Sequence, residues 1–333
     1  MSEGSPLPAR RGGVRVSLDL TDGCNFGCVH CFKTIGSPAR LLDLDLIRSL
    51  LDQLAALRAV SVVALTGGEP LFHPDFAAIA RAVAERGFRL AVVSNGWELA
   101  AALPALEAAR EQVDAVSVSL DGATETTHDA LRRREGSFRR AVEGLVLCRA
   151  RGLATQVNMV VTPGNRRELH AMALLASHLG CRALGLAHCK PTAEASAAGL
   201  VMDPFERLHL EADIAALQST FNLPILLAGD HYDPYPLALC PQLELRELHV
   251  DHRGRLTACC ELTGYRDGEP DSEVVADLAV TPLVDALRLL ADRVAAVIAA
   301  KIDRLAAGDL DPADLFICTC CQQHYRKAPA PRS

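Results

Sequence analysis

Apolar residues along the chain fall into two alternating rhythms. Short apolar runs, several of them β-branched, occupy 14–20, 60–66, 89–94, 115–120, 156–161 and 183–187, each closed by turn residues, and they read as strands. Between them, apolar positions recur every three or four residues over 43–59, 75–86, 98–112, 137–151 and 167–179, the stripe of a helix packed on one face. In the first of these the stripe is Leu46, Ile47, Leu50, Leu51, Leu54 and Leu57. Asp43, Asp75 and Ser137 stand where N-caps belong.

Six strands alternating with helices imply a parallel sheet covered by helices. Six repeats rather than eight point to an α/β fold of the partial (βα)6 TIM-like barrel type, whose chemistry sits at the C-terminal strand ends. A doubly wound sheet is the alternative, weakened because no GxGxxG turn follows the first strand. The rhythm breaks after residue 190. An Ala/Ser-rich linker over 190–199 precedes a helix around 204–221 and an irregular stretch rich in Pro and Gly. Two strands, 247–251 and 255–259, flank His252-Arg253-Gly254 as a hairpin. A long helix over 282–307 leads to a Cys-rich end. The expected division is a disordered tail 1–12, a barrel 13–190, a linker and helix 191–235, a small Cys-rich α+β domain 236–325 and a tail 326–333.

Composition narrows the function. In 333 residues, half are apolar and the net charge is −7, which argues against a nucleic-acid or membrane-surface partner. No apolar signal segment or run long enough to span a membrane is present, so a cytoplasmic location is expected. Twelve cysteines in such a protein read as metal ligands rather than disulfides. Three of them, Cys24, Cys28 and Cys31, share the loop after the first strand with spacing CxxxCxxC. Clustered thiolates suit a soft metal centre, and three leave one coordination position open.

Thr66-Gly67-Gly68-Glu69-Pro70 follows the second strand, and its two glycines allow close approach of backbone to a ligand. CxxxCxxC and GGEP together resemble the signature of the radical S-adenosylmethionine (SAM) superfamily. That resemblance implies a [4Fe–4S] cluster on Cys24, Cys28 and Cys31, with SAM on the open iron and reductive cleavage to a 5′-deoxyadenosyl radical. It assigns SAM binding to Gly67, Gly68 and Glu69, and further to Ser119 and Arg132, with Arg133 or Arg134 as substitutes for the latter. His30 takes the place of an aromatic beside the adenine, and Asn95 is a turn former that also stands as a SAM contact.

The C-terminal third resembles the Twitch/SPASM type of extension. This implies one auxiliary [4Fe–4S] cluster on Cys240, Cys259, Cys318 and Cys321, with Cys260 and Cys320 as adjacent alternates and zinc as the other metal. Cys148 and Cys181 read as core residues. Cys189 is a candidate hydrogen donor or a packing residue, and His188, Lys190, Asp230 and His231 are candidate substrate contacts. A flavodoxin- or ferredoxin-type electron donor is implied, with a small-molecule or peptide substrate. A short segment before the first strand tilts the expectation toward oxidation or epimerisation of a sugar or aminoglycoside. The alternatives are maturation of a ribosomally made peptide and, in another class, a non-catalytic metal-bearing scaffold.

Overall fold

The computed structural model describes residues 13–227, 232–309 and 315–327, with the side chain of Ile317 left aside. Residues 1–12, residues 328–333 of the tail assigned to 326–333, and the candidates Asp230 and His231 lie outside the described residues; Lys327, assigned to that tail, is instead buried and paired with Glu273 at 2.6 Å. The six sequence-predicted strands form as β1 (Val14–Asp19), β2 (Val60–Thr66), β3 (Arg89–Ser94), β4 (Val113–Ser119), β5 (Thr155–Val161) and β6 (Leu184–His188). Each pairs in parallel with the next, and a short β7 (Ile225–Leu227) continues the series beside β6.

The intervening helices are α1 (Leu44–Leu57), α2 (Phe76–Glu85), α3 (Leu99–Ala108), α4 (Glu125–Arg132), α5 (Ser137–Ala150) and α6 (Leu169–His178). Their buried faces join one apolar cluster with the strands, for example Ile47, Leu50, Leu51 and Leu54 of α1 against Val63 and Leu65 of β2. Asp43 caps α1 as expected, accepting from Leu46 N. Ser137 does not cap α5. Gly136, at φ 76°, takes that position, and the Ser137 hydroxyl donates instead to Asp129 Oδ1 at 2.7 Å. Asp75 precedes α2 without a side-chain cap; its own N–H donates to His73 Nδ1.

Two elements depart from the sequence-based reading. The stretch read as a linker contains α7 (Ala193–Ala197), started by Thr192, and the helix expected after it is α8 (Pro204–Thr220), closed at its start by a reciprocal Asp203–Glu206 capping box. The hairpin forms as β8 (Glu247–Val250) and β9 (Arg255–Thr257), and β10 (Val274–Asp277) adds to it. β8 does not stand apart. It pairs in parallel with β1, Arg15 facing Glu247 and Leu18 facing Val250. Among the described residues the sheet is therefore one ribbon of ten strands in the order β10-β9-β8-β1-β2-β3-β4-β5-β6-β7. It remains open at both edges, as an incomplete barrel does.

The chain finishes with α9 (Leu283–Ala307) and α10 (Ile317–His324), and α10 carries Cys318, Cys320 and Cys321. Among the described residues no helix is long and apolar enough to cross a membrane.

Candidate active site

The loop between β1 and α1 is tied to the turn after β2 by backbone. Gly68 N donates to Thr21 O at 2.7 Å and Glu69 N to Gly23 O at 2.8 Å. The glycines are required by this contact. Gly67 has φ 130°, and a Cβ there would lie 2.5 Å from Thr21 O. On Gly68 a Cβ would lie 2.2 Å from Gly23 O. The two signature motifs are thus a single folded unit.

Glu69 points inward. Its buried carboxylate accepts from Ser94 Oγ at 2.8 Å, Leu71 N at 3.2 Å and Asn95 N at 2.7 Å. Burial outweighs these bonds and raises its pKa to about 7. Asn95 forms the turn that its sequence suggested, accepting from Trp97 N at 2.9 Å, and its amide donates to Asn25 Oδ1 at 2.8 Å within the cysteine loop. Trp97 packs edge-on against Phe26, ring centroids 5.8 Å apart, and lies under the Arg134 guanidinium. Arg134 is thus engaged by Trp97.

A buried ion pair holds the other side of the loop. Arg132 Nε lies 2.6 Å from Asp121 Oδ2 and its Nη1 3.8 Å from Cys28 Sγ. Asp121 is completely buried and also accepts from Val160 N, while His30 Nε2 stands 3.3 Å from the same carboxylate. Burial works against ionisation of Asp121, but Arg132 and His30 overcome it and hold the carboxylate below its usual range. His30 is itself lowered to about 4 by burial, so its ring is neutral at physiological pH. Of the three candidate arginines, Arg132 is the one brought to the thiols; Arg133 pairs with Glu194. Ser119, half-buried, ends β4 on the same strand edge. Asp121 carries the arrangement, yet its sequence context, Asp-Gly before a helix, signals only a turn.

All twelve cysteines are free thiols. Burial raises Cys24 to about 11, aided by Glu69 and by its neighbours Cys28 and Cys31, and raises Cys28 as well. Cys24 and Cys28 are thus both disfavoured as anions, and the Arg132 guanidinium beside Cys28 offsets part of that cost.

The C-terminal thiols form a second such group. Cys259 and Cys260 hydrogen-bond each other, and this together with burial and the nearby Cys318 and Cys321 raises Cys259 far above its ordinary pKa. Burial raises Cys240, which accepts from the N–H groups of Gln242 and Leu243 and faces Cys260. Gln242 Nε2 donates to Cys260 Sγ at 3.1 Å. The hairpin end, the loop before it and α10 thus bring their cysteines near one another, with Cys260 as central as Cys259. Among the described residues no three His, Cys, Asp or Glu side chains converge on a single ion.

Cys189 and Lys190, just after β6, are buried. Cys189 is raised to about 12 by burial, with Asp121 adding to the effect, so it stays a thiol. Lys190 Nζ pairs with Glu261 at 2.9 Å. His188 packs edge-on to Phe316. Cys148 and Cys181 lie in the core.

Comparison with known proteins places this geometry. The model of the Radical SAM superfamily matches residues 18–176. The AdoMet-dependent heme synthase of Methanosarcina barkeri is 35% identical over 180 residues, covering 53% of this chain and 51% of that protein. The PqqA peptide cyclase of Ruegeria pomeroyi is 30% identical over 256 residues, covering 74% of this chain and 67% of that protein. The crystal structure of Streptococcus suis SuiB bound to precursor peptide SuiA superimposes with a TM-score of 0.62 at 15% identity, over 83% of this chain and 66% of that one, a likeness of fold. The chain spans about half the length of several curated relatives, the heme synthase among them.

Proposed function

The chain belongs to the radical SAM superfamily, whose cofactors are a [4Fe–4S] cluster and SAM, and from that premise we propose that it is a maturase acting on a ribosomally made peptide. The observation that carries the peptide reading is the likeness, over two thirds of its length, to a relative named for cyclising a peptide. That likeness favours a peptide over the sugar or aminoglycoside substrate expected from the sequence alone. Maturation here means oxidation or bond formation at an unactivated C–H.

In this reading Cys24, Cys28 and Cys31 hold the SAM-binding cluster, and Cys240, Cys259, Cys318 and Cys321 hold an auxiliary one, Cys260 and Cys320 being the adjacent alternates. When bound, cluster and SAM supply a 5′-deoxyadenosyl radical for hydrogen abstraction. The protein supplies everything that positions and shields them. Gly67 and Gly68 bring bare backbone to the thiol loop, and Glu69 braces that turn against Ser94 and Asn95. Arg132, aimed by Asp121, offers a cation beside Cys28 for the SAM carboxylate. Ser119 and Asn95 line the same strand ends, and neutral His30 gives a flat ring for the adenine. A flavodoxin- or ferredoxin-type donor in a reducing cytoplasm belongs to the same proposal.

A second reading, epimerisation, is favoured by one observation: Cys189 remains protonated beside Asp121, as a hydrogen donor must. Anaerobic incubation with SAM, dithionite and the peptides encoded beside the gene tests both. Formation of 5′-deoxyadenosine with loss of two hydrogens from a peptide supports maturation, and one solvent deuterium gained at carbon without other mass change supports epimerisation. Intact SAM after reduction, or turnover of sugars alone, overturns the peptide assignment.

A further inference from the structure

The segment just after Cys31 does more than close the first thiol loop. Thr34 N donates to Gly264 O at 2.7 Å and Arg266 N to Phe32 O at 2.8 Å, a short antiparallel clasp with Lys33 facing Tyr265. The clasp ties Lys33, two residues after Cys31, to the segment that follows Cys259 and Cys260. The Lys33 carbonyl lies 3.7 Å from Cys31 Sγ, and its ammonium is ion-paired with buried Asp19.

From Asp19 a buried polar chain runs on to the second group. His249 Nε2 stands 3.2 Å from Asp19 Oδ1, His249 Nδ1 is 2.9 Å from Thr257 Oγ1 and 3.3 Å from Thr263 Oγ1, and Thr263 Oγ1 donates to Cys259 O at 2.9 Å. Asp19, His249, Thr257 and Thr263 are each at most 2% exposed. Charges placed there are poorly screened by water and act over longer distances than at the surface.

We infer that Lys33 and Asp19 are positioning residues that set the reduction potentials of both metal centres together, through the opposed charges of their ion pair. The inference rests on the two-cluster reading. Removing the anion leaves a bare cation beside both thiol groups and makes each centre easier to reduce. Removing the cation does the opposite.

The test is redox titration of the anaerobic, iron-loaded full chain without SAM, followed by electron paramagnetic resonance. Asp19→Asn is expected to move both midpoints upward and Lys33→Gln to move both downward, each by about tenfold in the oxidised-to-reduced ratio, or about 59 mV for a one-electron couple. The Asp19→Asn/Lys33→Gln double variant, which restores neutrality, returns both toward the wild type, an outcome that a merely structural role does not produce. If one single variant loses iron, the sign read from the other decides. Two clusters with unmoved potentials overturn the inference alone, as does loss of iron from both single variants; a wild-type protein with one cluster removes the inference and the two-cluster reading together.

Discussion

Arg132 and Asp121 lie 2.6 Å apart in the interior, and the same guanidinium reaches Cys28. A pair so buried is costly to break because the survivor keeps its charge without a partner. Asp121→Asn is expected to destabilise the iron-free protein by about 3–5 kcal/mol, read from denaturant midpoints, and to weaken SAM binding. A loss below about 1 kcal/mol, the range of solvent-exposed pairs, would show that water reaches the pair.

Glu69 makes stability depend on pH in a particular direction. Burial raises its folded-state pKa to about 7 from the ordinary 4.5, so the native state holds a proton that the unfolded chain has released. Its contribution is full below the unfolded value, declines as pH rises between these two values and levels off above about 7. Subtracting the thermal midpoints of Glu69→Gln from those of the wild type across pH 5–8 isolates this decline. A difference that stays flat across that interval would refute it.

Gly68 leaves no room for a side chain, since the nearest atom a Cβ meets is the Gly23 carbonyl oxygen rather than a yielding side chain. Gly68→Ala is therefore expected to cost about 1–3 kcal/mol by overpacking and to push the cysteine loop off the turn. Iron bound per chain after reconstitution should fall at the first site while the C-terminal site stays loaded.

Cys240 tests the second centre. Its sulfur accepts two backbone N–H groups and faces Cys260, the setting of a thiolate ligand. Cys240→Ala is expected to lose about four irons per chain, with the first cluster's spectrum intact. Iron content equal to the wild type would remove Cys240 from the ligand set.

Most of the barrel was legible because its signals are local. β2 and β3 run as apolar stretches ended by Gly-Gly and Asn-Gly turns, and α1 shows its stripe and its Asp43 cap within one window. The cysteine and glycine motifs were legible for the same reason. What escaped depends on distant partners. Asp121 looks like a turn residue until Arg132 and His30 close on it. Lys33, Asp19 and His249 are unremarkable polar residues until the chain brings 249 beside 19. α10 was hidden because cysteine is a weak helix former, and β8, four residues long, gives no hint of which strand it joins.

That last pairing bears on how the protein is made. β1 is synthesised well before the strand on its far side, because six further strands of the sheet lie between them in the chain. Until then one flank of the nascent sheet offers unsatisfied peptide groups to any passing strand. A chain cut before β8 is therefore expected to leave that flank of β1 unpaired and open to association.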